Sequence, residues 1–393
     1  MRVAILLSGR FLPFSTAARP LLWFWLLLAP LLRAAPPPPQ IEAESFLLLD
    51  AGSGQVIAAK EADRRLPPAS LTKIMTVYIA FDKLKKGELK LDEEVVVSER
   101  AWRMGGSRMF LEVGSRVRVG DLLKGIIVQS GNDASVALAE HIAGSEELFA
   151  AMMNDYAQKL GLQNSHFKNS TGWPDPDHYT TARDLAILTR ALIRDFPEYY
   201  PLFALKAFTW NQIRQFNRNR LLWRDPSVDG VKTGHTQEAG YCLVASAKRG
   251  DRRLISVVMQ APSEEARFRG SVALLRYGFN FFETEKVAGK GTVVKVPVYR
   301  GERSEVALGL TSPLVVTFPK GERPRLKVEA PKWLTAPLKR GQLVGQVEVV
   351  LGDRVLRRVP LVVLEDVPEA GLFWRFWDGM RLRLKALWNR SPT

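Results

Sequence analysis

The hydrophobic pattern along the chain changes period several times, and each change predicts an element. Residues 44–50 and 55–59 are short apolar runs on either side of Ala51-Gly52-Ser53-Gly54, which predicts a hairpin at the start of a sheet. After Pro67-Pro68-Ala69-Ser70-Leu71-Thr72-Lys73 the text continues Ile74-Met75-Thr76-Val77-Tyr78-Ile79-Ala80-Phe81. That run has no strict alternation and is apolar nearly all round, so it predicts a helix buried in the middle of a domain. The two prolines end whatever precedes it, because neither donates a backbone N–H and each restricts its predecessor.

Further on, residues 121–129 predict a helix that breaks at Ser130-Gly131-Asn132-Asp133 and resumes over 134–143. Residues 146–160 form another, started by Ser145 and stopped by Gly161, and 181–193 one more. Residues 228–233, 241–247 and 253–259 predict strands, and 264–282 a closing helix. Strands at both ends with helices between them predict an α+β domain, a sheet with both faces covered, over residues 36–283. From 284 to 365 the period shortens to β-rich runs such as Leu314-Val315-Val316-Thr317-Phe318, separated by Gly, Pro and charged turns. This predicts a small separate all-β domain.

The ends carry different signals. Arg2, Arg10 and Arg19 precede the apolar Leu21-Leu22-Trp23-Phe24-Trp25-Leu26-Leu27-Leu28-Ala29, and Ala34-Ala35 stands before four prolines. Residues 1–35 therefore predict a secretory signal peptide, with an uncleaved anchor as the alternative; either way the body is exported. Residues 366–393 predict an amphipathic tail helix. There Leu372, Phe373, Phe376, Trp377, Met380, Leu384, Leu387 and Trp388 share one face, and Arg375, Arg381 and Lys385 lie mainly opposite. Such a helix suits a membrane surface on the outer side of the cytoplasmic membrane, not a span. Packing on its own domain is the alternative.

The formal charge is +15, and removing residues 1–35 takes four arginines and no acid, leaving +11. That balance suits an anionic membrane or polymer. No nucleic-acid motif accompanies it. Cys242 is the sole cysteine, so no internal disulfide forms, and no His-Glu-x-x-His or Cys-x-x-Cys spacing calls for a metal or any other cofactor.

Candidate chemistry starts at Ser70. Lys73 lies three residues on, on the same helical face, and a serine hydroxyl becomes nucleophilic when a nearby base takes its proton. Burial and the positive end of the helix dipole both push Lys73 toward the neutral amine. Ser-x-x-Lys alone is weak, since Ser165-His166-Phe167-Lys168 also fits and an N-cap serine followed by an ordinary lysine would look the same. Ser130-Gly131-Asn132 and Lys232-Thr233-Gly234 read in isolation as a turn between helices and a solvated lysine before a turn.

Together and in this order, Ser70-x-x-Lys73, Ser130-x-Asn132 and Lys232-Thr233-Gly234 resemble the triple signature of the penicillin-recognising serine acyltransferases. Asn217-Arg218-Asn219, Gly230-Val231-Lys232-Thr233-Gly234-His235-Thr236, the trailing β domain and the tail extend the likeness. They resemble the low-molecular-mass penicillin-binding proteins that are D-alanyl-D-alanine carboxypeptidases. The resemblance covers the chain from about Gln40 onward.

It implies a transpeptidase/β-lactamase-like fold and removal of the terminal D-alanine from peptidoglycan stem peptides through an acyl-enzyme on Ser70, with β-lactams as covalent ligands. By the same resemblance Lys73 is the general base and Ser130 relays a proton to the leaving D-alanine, helped by Lys232. Asn132 bonds the substrate, and the N–H groups of Ser70 and His235 form the oxyanion hole. For the terminal carboxylate the candidates are Thr233, Lys232 and Arg218, with Arg267 weaker.

Two alternatives remain at this point. A class A β-lactamase needs a glutamate in the loop after its Ser-x-Asn motif; between Glu147 and Glu198 this chain offers only Asp175 and Asp177 in that loop. A non-catalytic wall-binding protein would be expected to have lost Ser70 or Lys73.

Overall fold

The protein is described by a computed structural model over residues 35–371. The predicted signal peptide and tail helix lie outside the described residues, apart from Ala35 and residues 366–371.

The first half of the molecule is built on a five-stranded antiparallel sheet in the order Val56–Lys60, Ser45–Asp50, Arg252–Ala261, Gly240–Arg249, Val228–Thr236. The predicted hairpin is therefore central, and Leu47 sits opposite Val257 although about 200 residues separate them. Alternate side chains of Ser45–Asp50 enter two cores. Leu47 and Leu49 pack with Ile74 and Phe81, whereas Phe46 and Leu48 pack with Leu274 and Leu275 of the helix Glu264–Phe281. Burial on both faces is why this strand reads as an unbroken apolar run.

The helix Lys73–Lys85 buries every residue from Lys73 to Phe81, as its apolar circumference predicts. Its start differs from the sequence reading. Ala69–Thr72 forms a 3-10 turn, and the α-helix begins only at Lys73. The run over 121–129 also differs: Val119–Lys124 is α-helical, then the backbone widens to a π-turn over Gly125–Gln129. Ser130 follows in the left-handed region at φ 65°, and Asn132–Ala143 resumes the helix. The apolar run Val95-Val96-Val97 falls on the strand Glu94–Val96, but its partner Arg116–Arg118, the hairpin Ala207–Trp210/Ile213–Phe216 and the helix Glu99–Arg103 carry too short a pattern to be legible beforehand.

The second half holds a six-stranded sheet, whose spine is Leu343–Leu351, Arg354–Val363, Glu305–Leu310 and Gly291–Tyr299, and the pair Phe282–Ala288/Leu314–Pro319. Val306, Leu308, Val316, Val347 and Leu361 form its own core. Residues 367–370 still belong to it, through Val367 paired with Leu338 and the Ala370 N–H donating to Arg300 O at 2.8 Å.

A polar joint ties the halves together at the tip of the first hairpin. Ser53 Oγ meets Thr317 Oγ1 at 2.7 Å, the Thr317 N–H donates to Gln55 Oε1 at 2.6 Å, and Arg357 Nη1 donates to Ser53 O at 2.8 Å. The fully buried Asp50 carboxylate accepts from Arg252 Nε at 3.1 Å and Thr284 Oγ1 at 2.5 Å. Removing one partner of such a buried pair leaves the other charge uncompensated. Asp50→Ala should therefore cost about 3 kcal/mol, read as a lower urea midpoint. Glu44→Ala, which breaks an ion pair with Arg64 whose side chains are 51% and 48% exposed, should cost less than about 1 kcal/mol. Equal losses from the two would contradict this account of the joint.

Candidate active site

Ser70 stands on a tight turn that is held from two sides. A 3-10 turn has three residues per turn, so it stacks Lys73 directly over Ser70, and Lys73 Nζ lies 3.0 Å from Ser70 Oγ. The strand Val228–Thr236 passes against this turn so closely that a Cβ on Gly234 would lie 2.9 Å from Pro68 O; only glycine fits. On the other side Gly172, at φ 84°, presses on Ala69, where a Cβ would lie 1.7 Å from Ala69 O.

Lys73 is fully buried, and its amine has three oxygen neighbours. Nζ donates to Asn132 Oδ1 at 2.7 Å and to Thr171 O at 2.7 Å, and faces Ser70 Oγ. Burial pushes its pKa down to about 7; Asp133 and Glu146 pull it up and Arg218 presses it down. A neutral amine has two hydrogens and one lone pair. The two carbonyl oxygens take the hydrogens, which leaves the lone pair for the Ser70 hydroxyl.

Each partner is itself fixed. Asn132 Nδ2 donates to Gly105 O at 2.8 Å, which orients its amide oxygen toward Lys73. Thr171 belongs to a turn in which Asn169 Oδ1 accepts the N–H groups of Thr171, Gly172 and Trp173. Buried Glu146 accepts from the Ser170 N–H and Oγ on one oxygen and from Arg100 on the other. Asp133, also buried, accepts the N–H groups of Met109, Phe110 and Leu111.

Ser130 is 2% exposed, and its Oγ has no hydrogen-bond partner. A buried hydroxyl left unmatched is uncommon, and a strained left-handed backbone holds it there. Lys232 is 3% exposed and donates to Thr233 O at 3.1 Å. Burial first, then Lys73, Arg218 and Arg267, push its pKa well down.

Arg218 is exposed and donates through Nε to Gln129 O at 3.2 Å, in a cavity of about 530 Å³ that Gln129, His235, Tyr241 and Arg267 also line. Asn217 and Asn219, on either side of it in the chain, donate to Leu205 O and Gly230 O and so fix the backbone there. Arg267 is 5% exposed and donates to Gly234 O at 3.1 Å, so it backs the strand as well as lining the cavity. The His235 ring faces outward, stacked on Tyr241 with centroids 4.0 Å apart, and Nδ1 donates to Gly240 O.

Hydrogen bonds and strand packing thus join Ser70, Lys73, Asn132 and Gly234 directly. Ser130 follows the π-turn beside Asn132, Lys232 and Thr233 precede Gly234 on its strand, and Arg218 and His235 meet at the rim cavity. The competing Ser165-x-x-Lys168 is elsewhere: Ser165 donates to Asp184 at 2.7 Å and Lys168 is exposed. Asp133, Glu146, Asn169 and Thr171 went unrecognised in the sequence. The polar cluster Asn169-Ser170-Thr171-Gly172 was the one signal, that of a side-chain-bonded turn. Among the described residues Lys73 has no carboxylate hydrogen-bond partner, and the Thr171 carbonyl stands in its reach instead.

The chain is similar to known proteins over most of its length. Residues 32–263 match the family of D-alanyl-D-alanine carboxypeptidases called peptidase S11, and residues 282–369 match the C-terminal domain of penicillin-binding protein 5. The D-alanyl-D-alanine carboxypeptidase DacC of Escherichia coli K12 is 47% identical over 88% of this chain and 89% of its own. Penicillin binding protein 5 from Haemophilus influenzae superposes with a TM-score of 0.83 at 43% identity, over 85% of this chain and 100% of that one. Penicillin-binding protein D2 of Listeria monocytogenes, in its ampicillin-bound form, does so with 0.57 at 29% identity, over 62% of this chain and 100% of that one. With its Ser70–Lys73 pair set in that framework, the chain belongs to the peptidase S11 family of D-alanyl-D-alanine carboxypeptidases.

Proposed function

We propose that this D-alanyl-D-alanine carboxypeptidase works through Ser70 as nucleophile and neutral Lys73 as its base. The observation that carries the reading is the fully buried Lys73 amine, 2.7 Å from the carbonyl oxygens of Asn132 and Thr171 and 3.0 Å from Ser70 Oγ, an arrangement that leaves a neutral amine's lone pair for the hydroxyl. As Ser70 Oγ attacks the carbonyl of the D-Ala-D-Ala bond, Lys73 takes its proton. The developing oxyanion is met by the N–H groups of Ser70 and His235. Unpartnered Ser130 passes a proton to the departing amine, and Asn132 holds the substrate's side of the scissile amide. The terminal carboxylate docks among Thr233, Lys232 and Arg218, with Arg267 behind; it restores to Lys232 the counter-charge that burial denies it. Water then hydrolyses the acyl-enzyme. A β-lactam enters the same site and leaves its acyl group on Ser70.

The base assignment fixes a pH dependence. Lys73 must lose its proton to act, so acylation rises with pH through about 7 and is flat above. Below that point the rate of labelling by a fluorescent penicillin should fall about tenfold per pH unit. Ser70→Ala should give no label and no D-alanine release with the fold intact. Lys73→Arg should be nearly inactive at every working pH, because guanidinium keeps its proton. Normal labelling of Lys73→Arg, or a profile flat down to pH 5, would remove Lys73 from this role.

The enzyme further acts, in this reading, as an exported protein on the periplasmic face of the cytoplasmic membrane, with the tail as anchor. Support comes from the sequence, where Phe373, Trp377, Leu384 and Trp388 oppose a basic face. Deleting residues 372–393 should release the protein from liposomes containing anionic lipid while it still cleaves a small D-Ala-D-Ala peptide. If the truncated protein floats with the lipid as the full chain does, the anchor lies elsewhere.

A further inference from the structure

The loop that carries Thr171 leaves and re-enters the fold at one place. His166 and Tyr179 exchange both backbone hydrogen bonds, at 2.8 and 3.1 Å, so residues 167–178 form an excursion closed at its base. Neighbouring segments grip both ends. Asn154 of the helix Glu146–Leu160 bonds the N–H and the carbonyl of Phe167, each at 2.8 Å, and Thr180 pairs with Leu66.

Three bonds then fasten the excursion to the nucleophile's segment. Thr76 Oγ1 donates to Ser170 O at 2.7 Å, Lys73 Nζ donates to Thr171 O at 2.7 Å, and Thr72 Oγ1 meets His178 Nε2 at 3.0 Å. The first two use carbonyls of the Asn169 turn. The third comes from the last residue of the excursion and falls on the 3-10 turn of Ser70 itself.

The imidazole of His178 is buried, with Phe167 edge-on to it at 5.7 Å between centroids, and the His178 backbone N–H donates to Asp175 O at 3.0 Å. The Lys168 N–H points at Nδ1 from 3.4 Å, so in the neutral ring the hydrogen sits on Nε2 and is donated to Thr72. Burial pushes the pKa of the ring down to about 4; Asp175 pulls it up, and His166 and Lys73 press it down. At neutral pH the ring is therefore uncharged and keeps this tautomer.

Thr72 stands between Ser70 and Lys73 in the chain and is fully buried. A slip of Thr72 against His178 carries Lys73 away from Thr171 O, one of the two acceptors that leave its lone pair to Ser70. Catalytic groups work only when their supports hold them to within about 0.5 Å. We propose that His178 is a positioning residue for acylation: through Thr72 it locks the 167–178 excursion to the nucleophile's turn and so holds Thr171 O on the Lys73 amine. The proposal rests on the reading of Lys73 as the base.

The lock has a measurable consequence. Once it is broken, water reaches the amine in place of Thr171 O, and the ammonium form regains solvation. The other charged and titratable groups facing Lys73 are Asp133, Glu146, Arg218 and Lys232, none of them on the excursion. The pH midpoint of acylation therefore moves upward.

The test is the rate of labelling by a fluorescent penicillin, followed in the full chain from about pH 5 to about pH 10. His178→Leu should raise the midpoint from about 7 by about one pH unit and slow labelling at pH 7 about fivefold. Thr72→Val keeps the shape of the side chain and removes the acceptor. It should raise the midpoint equally, and it answers the question alone if His178→Leu fails to fold. The double variant should go no further than His178→Leu, because both changes break one bond. His178→Gln, whose amide N–H can stand in for Nε2–H, should keep the wild-type midpoint. A midpoint reports only the molecules that label, so loss of folded protein leaves it in place. A midpoint that stays near 7 in His178→Leu or Thr72→Val, whatever the rate, would reduce His178 to a structural part and overturn the proposal. So would a His178→Gln midpoint displaced as far as that of His178→Leu. Failure of the underlying reading looks different: the wild-type profile itself would be flat down to about pH 5.

Discussion

The site depends on keeping one amine dry. A buried ammonium without a counter-ion is disfavoured by several kcal/mol, so Lys73, closed off from solvent, sheds its proton near pH 7 and becomes a base. Two nearby carboxylates work against this, and the fold occupies both. Asp133 is surrounded by backbone N–H donors, and Glu146 is taken up by Ser170 and Arg100. Their negative charge therefore organises loops around the lysine while its bonds go to the neutral oxygens of Asn132 and Thr171.

The rest of the first domain is arranged to hold that geometry. Leu47 and Leu49 of the central strand Ser45–Asp50 and the helix Lys73–Lys85 share one core, so the nucleophile's turn rises from buried structure. Glycine at 234 and 172 lets the strand Val228–Thr236 and the Asn169–Trp173 turn close on Ala69 from two sides. Residues held this firmly need little reorganisation as charge develops during attack. The same hairpin that anchors the sheet also plugs into the second domain through Asp50 and Ser53, which ties the two halves by hydrogen bonds.

Legibility in the sequence followed the range of the forces involved. The helix Glu146–Leu160 was readable to its ends because a serine cap and a C-terminal glycine are local signals. The buried strands were readable from apolar runs, but the pairing of Ser45–Asp50 with Arg252–Ala261 is a long-range event that no window of sequence contains. The three motifs pointed to Ser70, Lys73, Ser130, Asn132 and Lys232. The 3-10 turn under Ser70 and the π-turn before Ser130 did not show, since both sit against chain distant in sequence, Gly172 and Gly234 at the first and Met109 against Gly125 at the second. Asn169 and Glu146 stayed hidden for the same reason: each acts through backbone groups that only the folded chain brings within reach.

The central claim is that Lys73 is neutral when it meets Ser70. The most direct measurement is an NMR titration of the enzyme carrying lysine labelled with 13C at the ε-carbon, with the Lys73 signal assigned by its loss in Lys73→Arg. The account predicts that this signal titrates near pH 7. A Lys73 signal that stays in its ammonium position up to about pH 10, as for a solvated lysine, would contradict it.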